Sequence, residues 1–102
     1  MGKNEIKKKL LEAIENDPHK KDIKKVSIFG SYAYGRPGKR SDVDVLIEFT
    51  PEAKIGLLEL AAIKDNMKKF IRKKVDLVPR DSLHKFIKQE ILSNAKKIYQ
   101  KR

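Results

Sequence analysis

Apolar positions along this chain switch between a spacing of about 3.6 and one of about 2, and the switches predict the order of its elements. From about Asn4 to Asn16, Ile6, Leu10, Leu11 and Ile14 fall at helical spacing, and Asn16-Asp17-Pro18 stops the helix. Lys24 to Phe29 is a short apolar strand that runs into Gly30. Ser31 to Gly35 leaves room for only one or two helical turns, and Arg36-Pro37-Gly38-Lys39-Arg40 is a turn by composition. Asp42 to Phe49 alternates as a second strand, with Val43, Val45, Ile47 and Phe49 on one face and Asp42, Asp44, Leu46 and Glu48 on the other. Leu57, Leu60, Ile63, Met67, Phe70 and Ile71 mark a second long helix. Lys74 to Val78 is a third strand, with Asp76 and Val78 opposite Val75 and Leu77. A closing helix follows on Leu83, Phe86, Ile87, Ile91, Ala95 and Ile98, interrupted near Gln89 by a kink or a break.

The resulting order, αβαβαβα, describes an α/β or α+β sandwich. No repeat, linker or low-complexity tract divides the 102 residues, so residues 1–102 are expected to form a single domain. A strand that is apolar on one face and half-charged on the other predicts helices behind the sheet and a solvent cleft in front. Periodicity alone does not decide whether the strands run parallel or mixed.

Charge adds a field without a partner. Lys and Arg number 25 against 14 Asp and Glu, a formal net charge of +11, with paired and tripled lysines scattered over every helix. Such a surface attracts nucleotides, RNA or acidic proteins. The absence of aromatic residues between the lysines argues against base stacking, and most of them read as solvated surface. A Lys/Glu-rich chain without Cys or Trp also fits a thermophile-like composition. No apolar run approaches the ~20 residues needed to span a bilayer. The Lys-rich start lacks the apolar stretch of a secretory signal, and the lack of cysteine excludes disulfides and thiolate metal sites. A cytoplasmic protein is expected, with no membrane partner.

The chemistry concentrates around Gly30-Ser31 and Asp42-Val43-Asp44. Side chains two apart on a strand point the same way, ~3.3 Å per step, so Asp42 and Asp44 can converge on a hard cation. Mg²⁺ takes oxygen ligands at ~2.1 Å and is often held by a few carboxylates together with substrate phosphates. Gly30 allows a sharp turn that brings backbone N–H groups close to phosphate oxygens. Ser31 would open the following helix, with its N–H and hydroxyl placed to meet phosphate oxygens; alone, the Gly-Ser pair reads as an ordinary helix cap. Asp44 between Val43 and Val45, and Asp76 between Val75 and Leu77, are carboxylates on apolar strands, costly unless a cation or strong donors meet them.

Gly30-Ser31, ten residues, then Asp42-x-Asp44 resembles the GS-x(10)-DxD pattern of the DNA polymerase β-like nucleotidyltransferases, strongest from Val26 to Phe49. The short chain is similar to the minimal nucleotidyltransferase (MNT) branch, the antitoxin partners of HEPN toxins. Asp76 matches the family's later strand carboxylate. The resemblance implies a mixed sheet, ATP as substrate and two Mg²⁺ ions held by Asp42, Asp44 and Asp76. Asp76 would also help deprotonate the attacking hydroxyl, and AMP would pass to a tyrosine of a HEPN-type toxin. The chain's brevity fits a macromolecular acceptor that completes the pocket.

Other residues carry less. Ser41 bonds phosphate or caps its strand. Arg36, Lys39 and Arg40 form a basic turn beside the site. His19 and His84 lack a partner at metal-ligand spacing; Gly35 reads as a helix C-cap, and Tyr32, Tyr34 and Tyr99 as packing residues. Two other functions remain open at this level: transfer to a small molecule or an RNA end, and neutralisation of a partner by binding without catalysis. A general nucleic-acid-binding role has little support in the scattered charge.

Overall fold

The computed structural model describes residues 2–35, 42–83 and 85–102. Helix α1, Lys3–Glu15, buries Ile6, Leu10, Ala13 and Ile14 along one stripe. It stops where the sequence stops it: Asn16 turns its side chain back onto the Glu12 carbonyl, 2.8 Å away. Asp17 is then buried and fully used. Its Oδ1 accepts from the His19 backbone N–H at 2.7 Å and lies 3.2 Å from His19 Nδ1. Its Oδ2 accepts from Asn66, whose amide also donates to the Ala13 carbonyl. The network ties the end of α1 to the middle of α3, Leu57–Ile71, and supplies His19 with the partner that sequence spacing did not reveal.

Four strands make the sheet: β1, Ile23–Phe29; β2, Val43–Phe49; β3, Val75–Pro79; and β4, Lys96–Gln100. Their order is β3-β2-β1-β4, with β1 antiparallel to β2 and to β4, and β2 parallel to β3. The sheet is mixed, as the resemblance implied. The parallel pair arises because α3 carries the chain back across the sheet between β2 and β3, which a tight turn cannot do. Behind the sheet, Val26, Ile28, Val43, Val45, Ile47 and Val75 meet Ile6, Leu10 and Ile14 of α1 and Ile63, Met67 and Ile71 of α3. Each such side chain removed from water contributes about 1.5–3 kcal/mol, so this single layer dominates the hydrophobic stabilisation.

Three expectations need correction. The closing helix does not reach Ile98: α4 covers Lys85–Asn94, runs through Gln89 without a break, and gives way to β4 on the outer edge of β1. Ser93 and Asn94 turn their side chains onto the Gln89 and Glu90 carbonyls, weakening the helix where it ends. Leu57, expected on the packed face of α3, is 85% exposed beside Leu58 at 84%. The first turn of α3 faces solvent, and burial begins with Leu60 and Ile63. The front of the sheet is also not uniformly open. Ser27 and Leu46 are buried there, and with Leu92 and Ala95 they line a void of about 40 Å³. Among the described residues, no helix is long and apolar enough to cross a membrane.

Candidate functional site

The carboxylates lie at the start of β2 and on the neighbouring β3. Asp42 immediately precedes the strand, and the Val43 N–H donates to the Lys74 carbonyl at 2.9 Å, so the pairing with β3 begins beside it. Asp44 stands opposite Phe29 of β1 on one side and opposite Asp76 of β3 on the other. Directly paired residues of parallel strands project to one face, about 4.8 Å apart at the backbone. Asp44 and Asp76 therefore share a face, joined by Asp42 through the alternation along β2. Asp42 and Asp44 are half-buried and Asp76 is exposed.

The electrostatics follow from that crowding. Burial, then the facing Asp76 and Asp42 carboxylates, push the Asp44 carboxyl above the usual carboxylate range. Lys74 Nζ lies 3.9 Å from Asp42 Oδ2 at the edge of the group.

Gly30 follows β1 with φ 73° and ψ −154°, a combination open essentially to glycine alone. It also faces Asp44: a Cβ placed there would overlap Asp44 Oδ2 and lie 3.1 Å from its Cγ. Helix α2, Ser31–Tyr34, starts at once, so Ser31 stands at its first position as expected. Gly35 closes α2, its N–H donating to the Ser31 carbonyl at 3.0 Å. Its need for glycine is space, since a Cβ would come within 2.9 Å of Ser31 Cα. Tyr32 is buried in the core, with the Lys73 ammonium 5.9 Å from its ring centre, and Tyr99 packs against the core from β4. Ser41, together with Arg36, Lys39, Arg40 and His84, lies outside the described residues.

The structure thus brings Gly30, Ser31, Asp42, Asp44 and Asp76 to one end of the sheet. Among the described residues, no three His, Asp or Glu side chains close on a common point as a ready metal cage. Mg²⁺ does not require one: it keeps several waters and takes one or two carboxylates plus phosphate oxygens. An all-oxygen donor set of crowded carboxylates fits such an ion. A larger cleft of about 430 Å³, lined by Phe49, Thr50, Ile55 and Arg80 among others, opens at the far ends of β2 and β3, away from these groups. Sequence reasoning passed over Lys74; its place two residues before Asp76 on the same face was the available signal.

The small mixed sheet thus carries a Gly-Ser turn, with Gly30 against Asp44, beside strand-borne carboxylates. Residues 6–98 match the nucleotidyltransferase domain family, and the chain belongs to it. It is 38% identical over 95 residues to a Methanocaldococcus jannaschii protein provisionally named protein adenylyltransferase MJ0435, covering 93% of this chain and 96% of that one. It is 32% identical over 90 residues to protein adenylyltransferase MntA of Thermococcus cleftensis, covering 80% and 89%. The fold matches a solved structure provisionally named a minimal nucleotidyltransferase with a TM-score of 0.77 at 25% identity, over 93% of this chain and 94% of the other. It also matches a chain in the complex of a tri-AMPylated Shewanella oneidensis HEPN toxin with its MNT antitoxin, with a TM-score of 0.68 at 16% identity, over 97% and 73%.

Proposed function

We propose that this chain, acting as one unit, is an Mg²⁺-dependent protein adenylyltransferase that transfers AMP from ATP to a tyrosine of a HEPN-type toxin, and so serves as the antitoxin of a pair. The observation that carries the reading is the register of Asp44 against Asp76 with Gly30 pressed to the Asp44 carboxylate. No packing role explains two carboxylates held side by side on strands whose other faces form the core. The relatives named protein adenylyltransferase supply the class of acceptor, and the toxin complex with the same fold supplies its kind. The cytoplasm, where ATP is abundant, is the setting this reading calls for.

On this reading, Gly30 holds the backbone at the start of α2 close enough for phosphate oxygens to reach its N–H groups. Ser31 offers its hydroxyl there. Asp42 and Asp44 would hold the metal that accompanies the triphosphate, and Asp76 would hold a second ion and accept the proton of the attacking tyrosine. Bound Mg²⁺ would supply charge neutralisation on the phosphates and acidify the attacking hydroxyl. The tyrosine oxygen attacks the α-phosphate in line, its bond forms as the bond to pyrophosphate breaks, and AMP remains on the acceptor. Positioning and electrostatics account for most of the rate.

The test uses the full chain with the HEPN-type protein of the same genome, ATP and Mg²⁺. Intact-mass spectra of the HEPN protein should gain the mass of AMP, at a tyrosine identified by fragmentation. The gain should vanish without Mg²⁺ and with the Asp42→Asn, Asp44→Asn double variant. Inhibition of the toxin by that double variant, without nucleotide and with no mass change, would replace transfer by simple binding.

A further inference from the structure

Lys74 has a place in the site that the family assignment does not give it. Its backbone is fixed beside Asp42 by the Val43 N–H, which donates to the Lys74 carbonyl at 2.9 Å. By strand alternation its side chain shares the face of Asp76. Its ammonium lies 3.9 Å from Asp42 Oδ2, yet the side chain remains 74% exposed, against 42% for Asp42. The pair is therefore loose: a charge contact at the rim, on a flexible four-carbon stem that can turn elsewhere.

A divalent ion held by Asp42 would compete with the monovalent ammonium for the same oxygen, and its double charge would prevail. The displaced ammonium is then left next to the place where the triphosphate must lie if Asp42 and Asp44 hold its metal. We propose that Lys74 is an exchangeable counter-ion, paired with Asp42 before substrate arrives and handed over to the phosphate oxygens when the metal–nucleotide complex binds. This rests on the reading of Asp42 and Asp44 as the carboxylates that carry the metal–nucleotide complex. The hand-over keeps the crowded carboxylates partly neutralised in the empty site and adds a charge-assisted contact to the filled one.

The two halves of the exchange have opposite signs, which makes them separable. In Lys74→Met the stem is kept and the charge removed. Calorimetric titration of the full chain with Mg²⁺ alone should give about two- to threefold tighter binding, because a competitor has gone. Titration with Mg²⁺ and AMP-PNP should give about tenfold weaker binding, because a charged contact to phosphate has gone. Lys74→Arg should restore most of the nucleotide affinity, and the melting temperature should not move with a rim side chain. Unchanged nucleotide affinity in Lys74→Met, or Mg²⁺ binding weakened where the exchange requires it to tighten, overturns the exchange. Wild-type chain that failed to bind Mg²⁺–AMP-PNP would overturn both the exchange and the functional reading beneath it.

Discussion

Gly30 and Asp44 meet across the β1–β2 pair with no room between them for a side chain. Asp44 sits opposite Phe29, the last residue of β1, so the residue that follows Phe29 turns directly over its carboxylate. Gly30 answers with φ 73° and ψ −154°, which a side chain disfavours even in open space. A backbone requirement and a steric one thus coincide at one residue. The same contact fixes where the start of α2 lies relative to the carboxylates.

Gly30→Ala should therefore lose more than stability. The conformational cost alone is about 1–3 kcal/mol, to be read from urea unfolding at 25 °C. The larger consequence is that Asp44 must rotate away or the turn must shift, so Mg²⁺–ATP affinity should fall by tenfold or more even at temperatures where the variant is fully folded. A folded Gly30→Ala protein with wild-type nucleotide affinity would show that the close approach has no part in binding.

How far the sequence carries the reader depends on what each element's pattern competes with. The alternation at Val43, Val45 and Ile47 had no helical rival, and all three are fully buried behind the sheet. Asp44 and Asp76 were legible because a carboxylate between two apolar strand residues has few explanations. Their direct pairing was not, because register is a tertiary property set by how α3 returns the chain. The C-terminal strand was hidden for the opposite reason. Ile91, Ala95 and Ile98 continue a helical spacing by chance, and only the adjacent Ile98-Tyr99 pair, favourable on a sheet, hinted at β4. Leu57 misled in the same way: periodicity places a residue on a helix face but does not say how far the neighbouring layer extends.

Asp44→Asn should stabilise the metal-free protein, and the gain should depend on pH in a defined direction. Burial and the Asp76 and Asp42 carboxylates raise the folded-state pKa of Asp44 above its ordinary 3.8. The folded chain thus holds this proton more tightly than the unfolded chain. Its favourable contribution is complete below pH 3.8 and is lost as pH climbs through the raised value. The variant's melting temperature should exceed wild type by a few degrees at pH 7 and converge with it toward pH 3.5. If Asp44 helps to hold Mg²⁺, as proposed, saturating Mg²⁺ should narrow the difference at pH 7.

Removal of residues 95–102 should expose the price of an unprotected edge. Without β4, the outer edge of β1 loses its partner, including the Lys101 N–H bond to the Lys24 carbonyl at 2.8 Å. Ile98 and Tyr99 also leave the core they partly cover. Two such side chains are worth about 3 kcal/mol together, and a bare strand edge invites pairing between molecules. The truncated chain should melt earlier and elute as larger species at high concentration. A monodisperse truncated chain with an unchanged melting temperature would mean that β4 is dispensable to the sheet.

Asp76 should separate from its neighbours in kinetics. It is the most exposed of the three carboxylates; the other two are half-buried, with Asp44 lying against Gly30. If the half-buried pair holds the nucleotide and Asp76 serves the attacking oxygen, the three Asn variants divide cleanly. Asp42→Asn and Asp44→Asn should bring Mg²⁺–AMP-PNP binding below detection in calorimetry. Asp76→Asn should keep that affinity within about threefold, while the rate of AMP transfer to the HEPN protein falls by about 10²–10⁴, the range for losing a positioned proton acceptor. That pattern is the loss of an interaction made in the transition state and not in the ground state. The pH dependence adds a second handle. Above the pKa of the acceptor tyrosine, ~10 in an unperturbed phenol, the nucleophile ionises without help, and the deficit of Asp76→Asn should shrink as pH approaches that value. A deficit constant with pH, accompanied by lost nucleotide affinity, would instead make Asp76 a third holder of the same metal, as its register opposite Asp44 also permits.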